Sequence, residues 1–302
     1  MHKESTMAHQ SFKLMCVLAH PDDESLATGG ILAKYAAAGV QTYLVMATRG
    51  ERGWSGPAAA DPGPRALGRL REAELRAAAQ VLGLREVVFL EYQDGELDRA
   101  DHAQAIAKIV TQLRRVRPDV VVTFDPNGMY GHPDHIAISQ WTTAAVMAAA
   151  DTGYPGLAVD GAQGVPTSAP HRVAKLYYRA FLPAEQEAYE ATFGRLVMPV
   201  DRVARRFTVW PEWAITTRID SSAYEEQVWR AIACHGSQVS DCQQRRALPG
   251  EVRARLWTAQ TYYRAMSLVN GGRAVETDLF AGLHRHAPSH AWFSVAHQPV
   301  PA

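Results

Sequence analysis

Two short segments carry residue types that can do chemistry together: Ala19-His20-Pro21-Asp22-Asp23-Glu24 and Tyr130-Gly131-His132-Pro133-Asp134-His135. Two imidazoles and a carboxylate make a three-donor set that leaves one coordination position open, the pattern of a catalytic zinc site. An all-oxygen calcium or magnesium cage would not need histidines. The three cysteines, Cys16, Cys234 and Cys242, cannot supply a four-cysteine structural site. A remaining carboxylate in the first segment is then available as a base, because zinc lowers the pKa of a bound water to about 7. Taken singly, each segment has a plainer reading. Asp22, Asp23 or Ser25 suits a helix N-cap, and His132 reads as an ordinary loop histidine.

What sets the pair apart is where each segment falls. The first ends an apolar run at 12–19 and precedes a helical stretch at 25–38; the second follows the almost wholly apolar run 119–125 and precedes a helix at 136–150. Between them the pattern alternates: a strand at 40–48, a loop at 49–64, a helix at 65–82, a strand at 86–92, a turn at Asp94-Gly95 and a helix at 102–116. The stretch 126–135 reads as a loop. Strand and helix in strict alternation predict an α/β, doubly wound, Rossmann-like and mostly parallel sheet. In such a sheet ligands bind beyond the carboxyl ends of the strands, at the switch in strand order. With the order 3-2-1-4-5, strands one and four are neighbours, and their loops are the two that carry the motifs.

Later segments predict a strand at 173–181, helices at 183–193, 223–234 and 251–265, and a strand at 215–219. We read one domain over 12–302, with 151–172 a loop insertion, 239–302 a C-terminal elaboration and 1–11 a frayed or disordered N-terminus. Hydrophobic residues at 47% and charged residues at 21% give a globular composition rather than a disordered one. Lys plus Arg and Asp plus Glu are each 31, so no basic surplus suggests a nucleic-acid partner. No apolar run is long enough for a membrane span. An odd, small number of cysteines fits a reducing, cytoplasmic setting.

AHPDDE near the N-terminus with YGHPDH after the fourth strand resembles the PIG-L/LmbE family of zinc-dependent N-acetylglucosaminyl deacetylases, which includes the de-N-acetylases of mycothiol and bacillithiol synthesis. The resemblance extends through Thr48-Arg49-Gly50-Glu51-Arg52-Gly53, through Arg71-Glu72-Ala73-Glu74-Leu75 with Leu82-Gly83, through Tyr92-Gln93-Asp94-Gly95, and through His235-Gly236-Ser237-Gln238. It implies that His20, Asp23 and His135 bind Zn2+, or another divalent cation such as Fe2+. It implies Asp22 as general base, His132 as electrostatic stabiliser or acid, Asp134 as the group orienting a neighbouring histidine, and Tyr130 as donor to the tetrahedral oxyanion. Arg71 and Glu51 match sugar-binding positions, Asp94 also reaches toward the sugar, and His235 stands as a residue at the lip of the site. The implied substrate is a small amino-sugar conjugate that loses its N-acetyl group to water. A homo-oligomer is compatible with the resemblance.

Other readings compete. An amidase acting on a related thiol-sugar conjugate fits the same motifs. His20-x-Asp22 with His135 also reads as the facial triad of an iron(II) oxygenase, though such motifs usually sit on a jelly roll. A nucleotide-binding regulatory module would want a glycine-rich loop after strand one, where His-Pro-Asp-Asp stands instead. Arg49 and Arg52 could meet an anionic aglycone. Cys234 beside His235 suggests a nucleophilic pair only if the two side chains touch. Trp210, Trp213, Trp229, Trp257 and Trp292 read as core or interface anchors, and His284, His286, His290 and His297 as a polar tail.

Overall fold

The structure is a computed structural model that describes residues 12–154, 169–195, 197–200, 202–239, 247–269 and 272–283. The expectations for 1–11, for most of the 151–172 insertion, for Cys242, for Trp292 and for the four C-terminal histidines lie outside the described residues.

In chain order the elements are β1 (Lys13–Leu18), α1 (Asp23–Leu26), α2 (Gly29–Ala37), β2 (Gln41–Met46), α3 (Pro64–Leu82), β3 (Glu86–Phe89), α4 (His102–Val116), β4 (Val120–Phe124), α5 (Gly128–Gly131), α6 (Pro133–Ala150), β5 (Lys175–Arg179), α7 (Pro183–Phe193), β6 (Val197–Val200), β7 (Val203–Arg206), β8 (Thr217–Asp220), α8 (Glu225–Ile232) and β9 (Ala259–Ser267). Seven strands form one sheet in the order β3-β2-β1-β4-β5-β9-β8, and β6 pairs with β7 as a separate hairpin. The strands β1 to β5 run parallel, as the alternation predicts. Leu14 to Leu18 and Val120 to Phe124 are all buried, which is why these strands read as unbroken apolar runs: helices cover both faces.

Two expectations need correction. The helix expected at 251–265 forms only in its first half. Gly250–Arg253 is α-helical and Ala254–Thr258 a π-helical turn, and the chain then becomes β9. Thr261, Tyr262 and Tyr263 suit a strand, and antiparallel pairing to both β5 and β8 decides the matter. The C-terminal elaboration thus supplies an interior strand of the main sheet. The loop expected over 126–135 is also shorter than read. It holds the turn α5, and α6 starts at Pro133, with proline at the first helical position where a missing N–H is harmless.

A second apolar cluster gathers Val228, Trp229, Ile232, Val239, Leu256 and Trp257, with the two indoles edge to face at 4.5 Å. Trp213 is 88% exposed and anchors no core. Among the described residues no helix is long and apolar enough to cross a membrane.

Candidate active site

Adjacent pairing of β1 with β2 and with β4 brings the loops after these strands to one end of the sheet. The loop after β1 delivers His20 to Glu24, and the first turn of α6 delivers Asp134 and His135. His132 is the N-cap of α6, its Nδ1 accepting the Asp134 N–H at 3.1 Å. Residues three apart share a helix face, so His132 and His135 stand ring against ring at 4.9 Å.

His20 Nδ1 lies 3.2 Å from His135 Nε2 and 3.7 Å from Asp23 Oδ2, and Asp23 Oδ1 lies 3.6 Å from His135 Nε2. Donors at tetrahedral angles with metal bonds of about 2.0–2.2 Å stand roughly 3.3–3.6 Å apart, so these three side chains have the spacing of a cation's ligands. The tautomers also suit it. His20 Nε2 faces Asp134 Oδ2 at 3.0 Å and Asp94 Oδ1 at 3.1 Å, so in the neutral ring, the form a cation would bind, the proton sits on Nε2 and Nδ1 is the nitrogen turned to His135 and Asp23. His135 Nδ1 is buried beside the Gly128 backbone, outside hydrogen-bond geometry.

The charges of the cluster point the same way. Burial pulls the His20 imidazole down, yet Asp134, Asp94 and Asp23 outweigh it and leave it well above its ordinary value. Burial, then the charges of His20 and His132, push His135 well down and keep it neutral. Burial and the neighbouring Asp22 raise the Asp23 carboxyl to about 7 against the pull of His20. Buried carboxylates crowded around two imidazoles are a donor set that a divalent cation would neutralise.

Asp22 stands beside this set. Burial raises its carboxyl against the lowering influence of Arg71, whose Nη2 is 3.4 Å from Asp22 Oδ2. Asp23, not Asp22, is the carboxylate that faces both His20 and His135; Asp22 is turned to Arg71. The set His20, Asp22 and His135, read from the motif as a facial triad, is therefore not the one the fold brings together. Tyr130 packs edge to face on His135, with ring centroids 5.1 Å apart, and burial followed by the charges of Asp23 and Asp22 keeps its phenol protonated.

The residues expected to touch a sugar fall differently. Arg71 is 3% exposed and is occupied by backbone: it donates to the Gly50 carbonyl at 2.8 Å and to the Pro21 carbonyl. Asp94 is buried between His20 and the Arg52 N–H, which it accepts at 3.0 Å. Glu51 accepts the Asp94 N–H at 3.1 Å through Oε1 and keeps a buried Oε2 without a partner. His235 is fully buried beneath the site rather than at its lip, 2.7 Å from Glu24 Oε1. Burial pulls this imidazole down and Glu24 more than restores it. Cys234 does not reach the site; its thiol donates to the Arg230 carbonyl at 3.3 Å, and burial raises its pKa. Arg49 is paired with Glu72 and Glu91, and Arg52 with Glu96, so neither arginine stands ready for an anion.

Sequence reasoning missed three supports. Glu24 lies inside the first motif without having been given a task. Asp125 accepts the Met129 N–H at 2.7 Å and Trp210 Nε1 at 2.7 Å, bracing the turn that carries Tyr130. Arg205, on β7, donates to the Gly131 carbonyl at 2.6 Å from the far side of that turn.

Fold and donor set together define a doubly wound α/β protein with a candidate metal centre at the carboxyl ends of its parallel strands. The PIG-L family, described as GlcNAc-PI de-N-acetylase, matches residues 15–146. A 1D-myo-inositol 2-acetamido-2-deoxy-alpha-D-glucopyranoside deacetylase of Streptomyces avermitilis is 37% identical, the match covering 90% of this chain and 97% of the relative. The protein of the same description from Kineococcus radiotolerans is 33% identical, over 93% of this chain and 84% of its own. Among solved structures, a conserved protein of Thermus thermophilus superposes with a TM-score of 0.57 at 25% identity, covering 85% of this chain and 96% of that one. The N,N'-diacetylchitobiose deacetylase of Pyrococcus horikoshii shares the fold, with a TM-score of 0.60, 18% identity and 84% of each chain covered. The chain belongs to the PIG-L family, as AHPDDE and YGHPDH imply.

Proposed function

We propose that this enzyme is a zinc-dependent deacetylase that hydrolyses the N-acetyl group of a glucosaminide, with 2-acetamido-2-deoxyglucopyranosyl-inositol as the favoured substrate. The observation that carries the reading is the convergence of His20, Asp23 and His135 with Asp22 alongside. The substrate is supported by relatives of that description, which match over nearly the whole chain.

His20, Asp23 and His135 would hold the ion. Zinc, when bound, polarises a carbonyl oxygen and lowers the pKa of a water to about 7. Asp22 takes the proton of the attacking water. Tyr130 donates to the oxyanion that develops on the amide oxygen. His132 uses Nδ1 to accept the Asp134 N–H, which leaves Nε2 as the nitrogen that carries a proton and serves as a hydrogen-bond donor. The proton that the amine needs in order to leave then returns from the Asp22 carboxylic acid. Asp134 and Asp94 hold the His20 ring, and Glu51, with one carboxylate oxygen unpartnered, is our candidate acceptor for a sugar hydroxyl.

The test is acetate release by the zinc-loaded protein from 2-acetamido-2-deoxyglucopyranosyl-inositol, from N-acetylglucosamine and from an amide-bearing thiol-sugar conjugate. Preferred turnover of the inositol glycoside is expected. Turnover of the thiol conjugate alone would move the assignment to the related amidase, and hydrolysis of none of them would contradict it.

A further inference from the structure

Asp22 has a backbone conformation that L-residues rarely adopt, with φ 113° and ψ −29°. Such a conformation persists only where the surroundings impose it. The Asp22 carbonyl accepts the Ser25 and Leu26 amides of the following turn, and Glu24 takes its N–H. Glu24 Oε2 accepts the Asp22 N–H at 3.0 Å, while Oε1 accepts the Ser25 hydroxyl at 2.5 Å and faces His235 Nε2 at 2.7 Å. Both side chains are wholly buried. His235 is itself anchored after α8, its carbonyl accepting the amides of Gln238 at 3.0 Å and Val239 at 2.9 Å. The pair therefore ties a turn at residue 22 to a segment more than two hundred positions away.

The unusual backbone has a use. Asp22 and Asp23 are consecutive, yet their carboxylates serve different neighbours. Asp23 Oδ2 accepts the His20 N–H at 2.8 Å and Oδ1 is turned to His135, whereas Asp22 Oδ2 is turned to Arg71. A left-handed residue between a proline and a helix start separates the two directions.

We propose that Glu24 and His235 are positioning residues, a buried acid–imidazole pair beneath the Asp22 turn that imposes its left-handed backbone and so aims the Asp22 carboxylate alongside the His20–Asp23–His135 set. The inference rests on the reading of Asp22 as the general base.

The test uses the zinc-loaded full chain, the inositol glycoside as probe, and the variants Glu24→Gln, His235→Gln and Asp22→Asn, with each of the first two also combined with Asp22→Asn. Losing an outer support of this kind typically lowers activity by about 10- to 100-fold. That loss is expected in kcat with KM and zinc content unchanged, and it is expected to vanish in the Asp22→Asn background. Glu24→Gln, which keeps an acceptor oxygen for the Asp22 N–H, is expected to retain more activity than a further variant, Glu24→Ala, made for this comparison. A crystal structure of His235→Gln is expected to show Asp22 out of the left-handed region, a readout independent of turnover. An undiminished kcat in His235→Gln, a loss that adds fully to that of Asp22→Asn, or an unchanged Asp22 backbone would overturn the proposal. Full activity in Asp22→Asn would instead overturn the base assignment, and the pair's role with it; only that failure leaves the Asp22 variant active.

Discussion

His20 Nε2 sits 3.0 Å from Asp134 Oδ2, and this contact determines which nitrogen of His20 faces His135. Asp134 is itself fixed, its carboxylate accepting the Gly95 N–H at 2.7 Å and the Leu97 N–H at 3.1 Å. Asp134→Asn keeps an acceptor for the backbone but weakens the hold on the ring. Zinc affinity is expected to fall about 10- to 100-fold, read by competition with a chromogenic chelator. An unchanged affinity would remove Asp134 from the support of the site.

Tyr130→Phe removes a hydroxyl and little else. If the phenol donates to the oxyanion, kcat falls by about 10²- to 10³-fold, the loss typical of an oxyanion donor. Zinc stoichiometry stays as in the parent protein. Steady-state kinetics with parallel metal analysis decide it, and a wild-type kcat would take Tyr130 out of the chemistry.

Gly50 has φ +66°, and a Cβ there would stand 2.2 Å from Arg71 Nη1. Arg71 is the cross-brace between the loops after β1 and β2, so it has nowhere to retreat. Gly50→Ala is expected to destabilise the fold by about 1–3 kcal/mol through overcrowding, on top of the left-handed strain. Urea unfolding measures the first effect. A lowered kcat/KM measures the accompanying shift of Pro21 and Asp22.

Far from the site, Lys175 is wholly buried with Nζ 2.7 Å from Glu276 Oε1, and Glu276 also accepts from Tyr177 at 2.6 Å and Thr217 at 3.0 Å. Burial pushes the Glu276 carboxyl up, but these donors outweigh it and leave it below its ordinary value of 4.5. A carboxyl lowered on folding contributes stability above pH 4.5 that is lost as the pH falls from there through the folded value. Glu276→Gln is expected to be less stable at pH 7 by about 3–5 kcal/mol, because it leaves the buried Lys175 ammonium, still bonded to the Ala281 carbonyl, without its counter-charge. Its stability should also decline less steeply in acid. Denaturant titrations from pH 7 to acid test both, and parallel acid limbs would contradict the account of Glu276.

The parallel half of the fold was legible because β1, β2 and β4 are buried almost throughout and so appear as runs rich in apolar and β-branched residues. β9 was not, because 251–265 begins helically and its strand state is set by partners distant in the chain. The convergence of His20, Asp23 and His135 was legible because the three side chains lie in two compact motifs at adjacent strand ends. The tasks of Arg71, Asp94 and His235 were not. Each is fixed by contacts across long sequence separations, Arg71 to the Gly50 and Pro21 carbonyls, Asp94 to His20, and His235 to Glu24. Motif lettering identifies such residues without saying whether they face a substrate or a neighbour.

The convergence of two strand-end loops on one cation is tested most directly by calorimetric titration of Zn2+ into the metal-free chain. One equivalent is expected to bind tightly to the parent protein and to Asp22→Asn, with binding lost in His20→Ala and in His135→Ala. Undiminished one-to-one binding in both histidine variants would show that these side chains do not hold the metal.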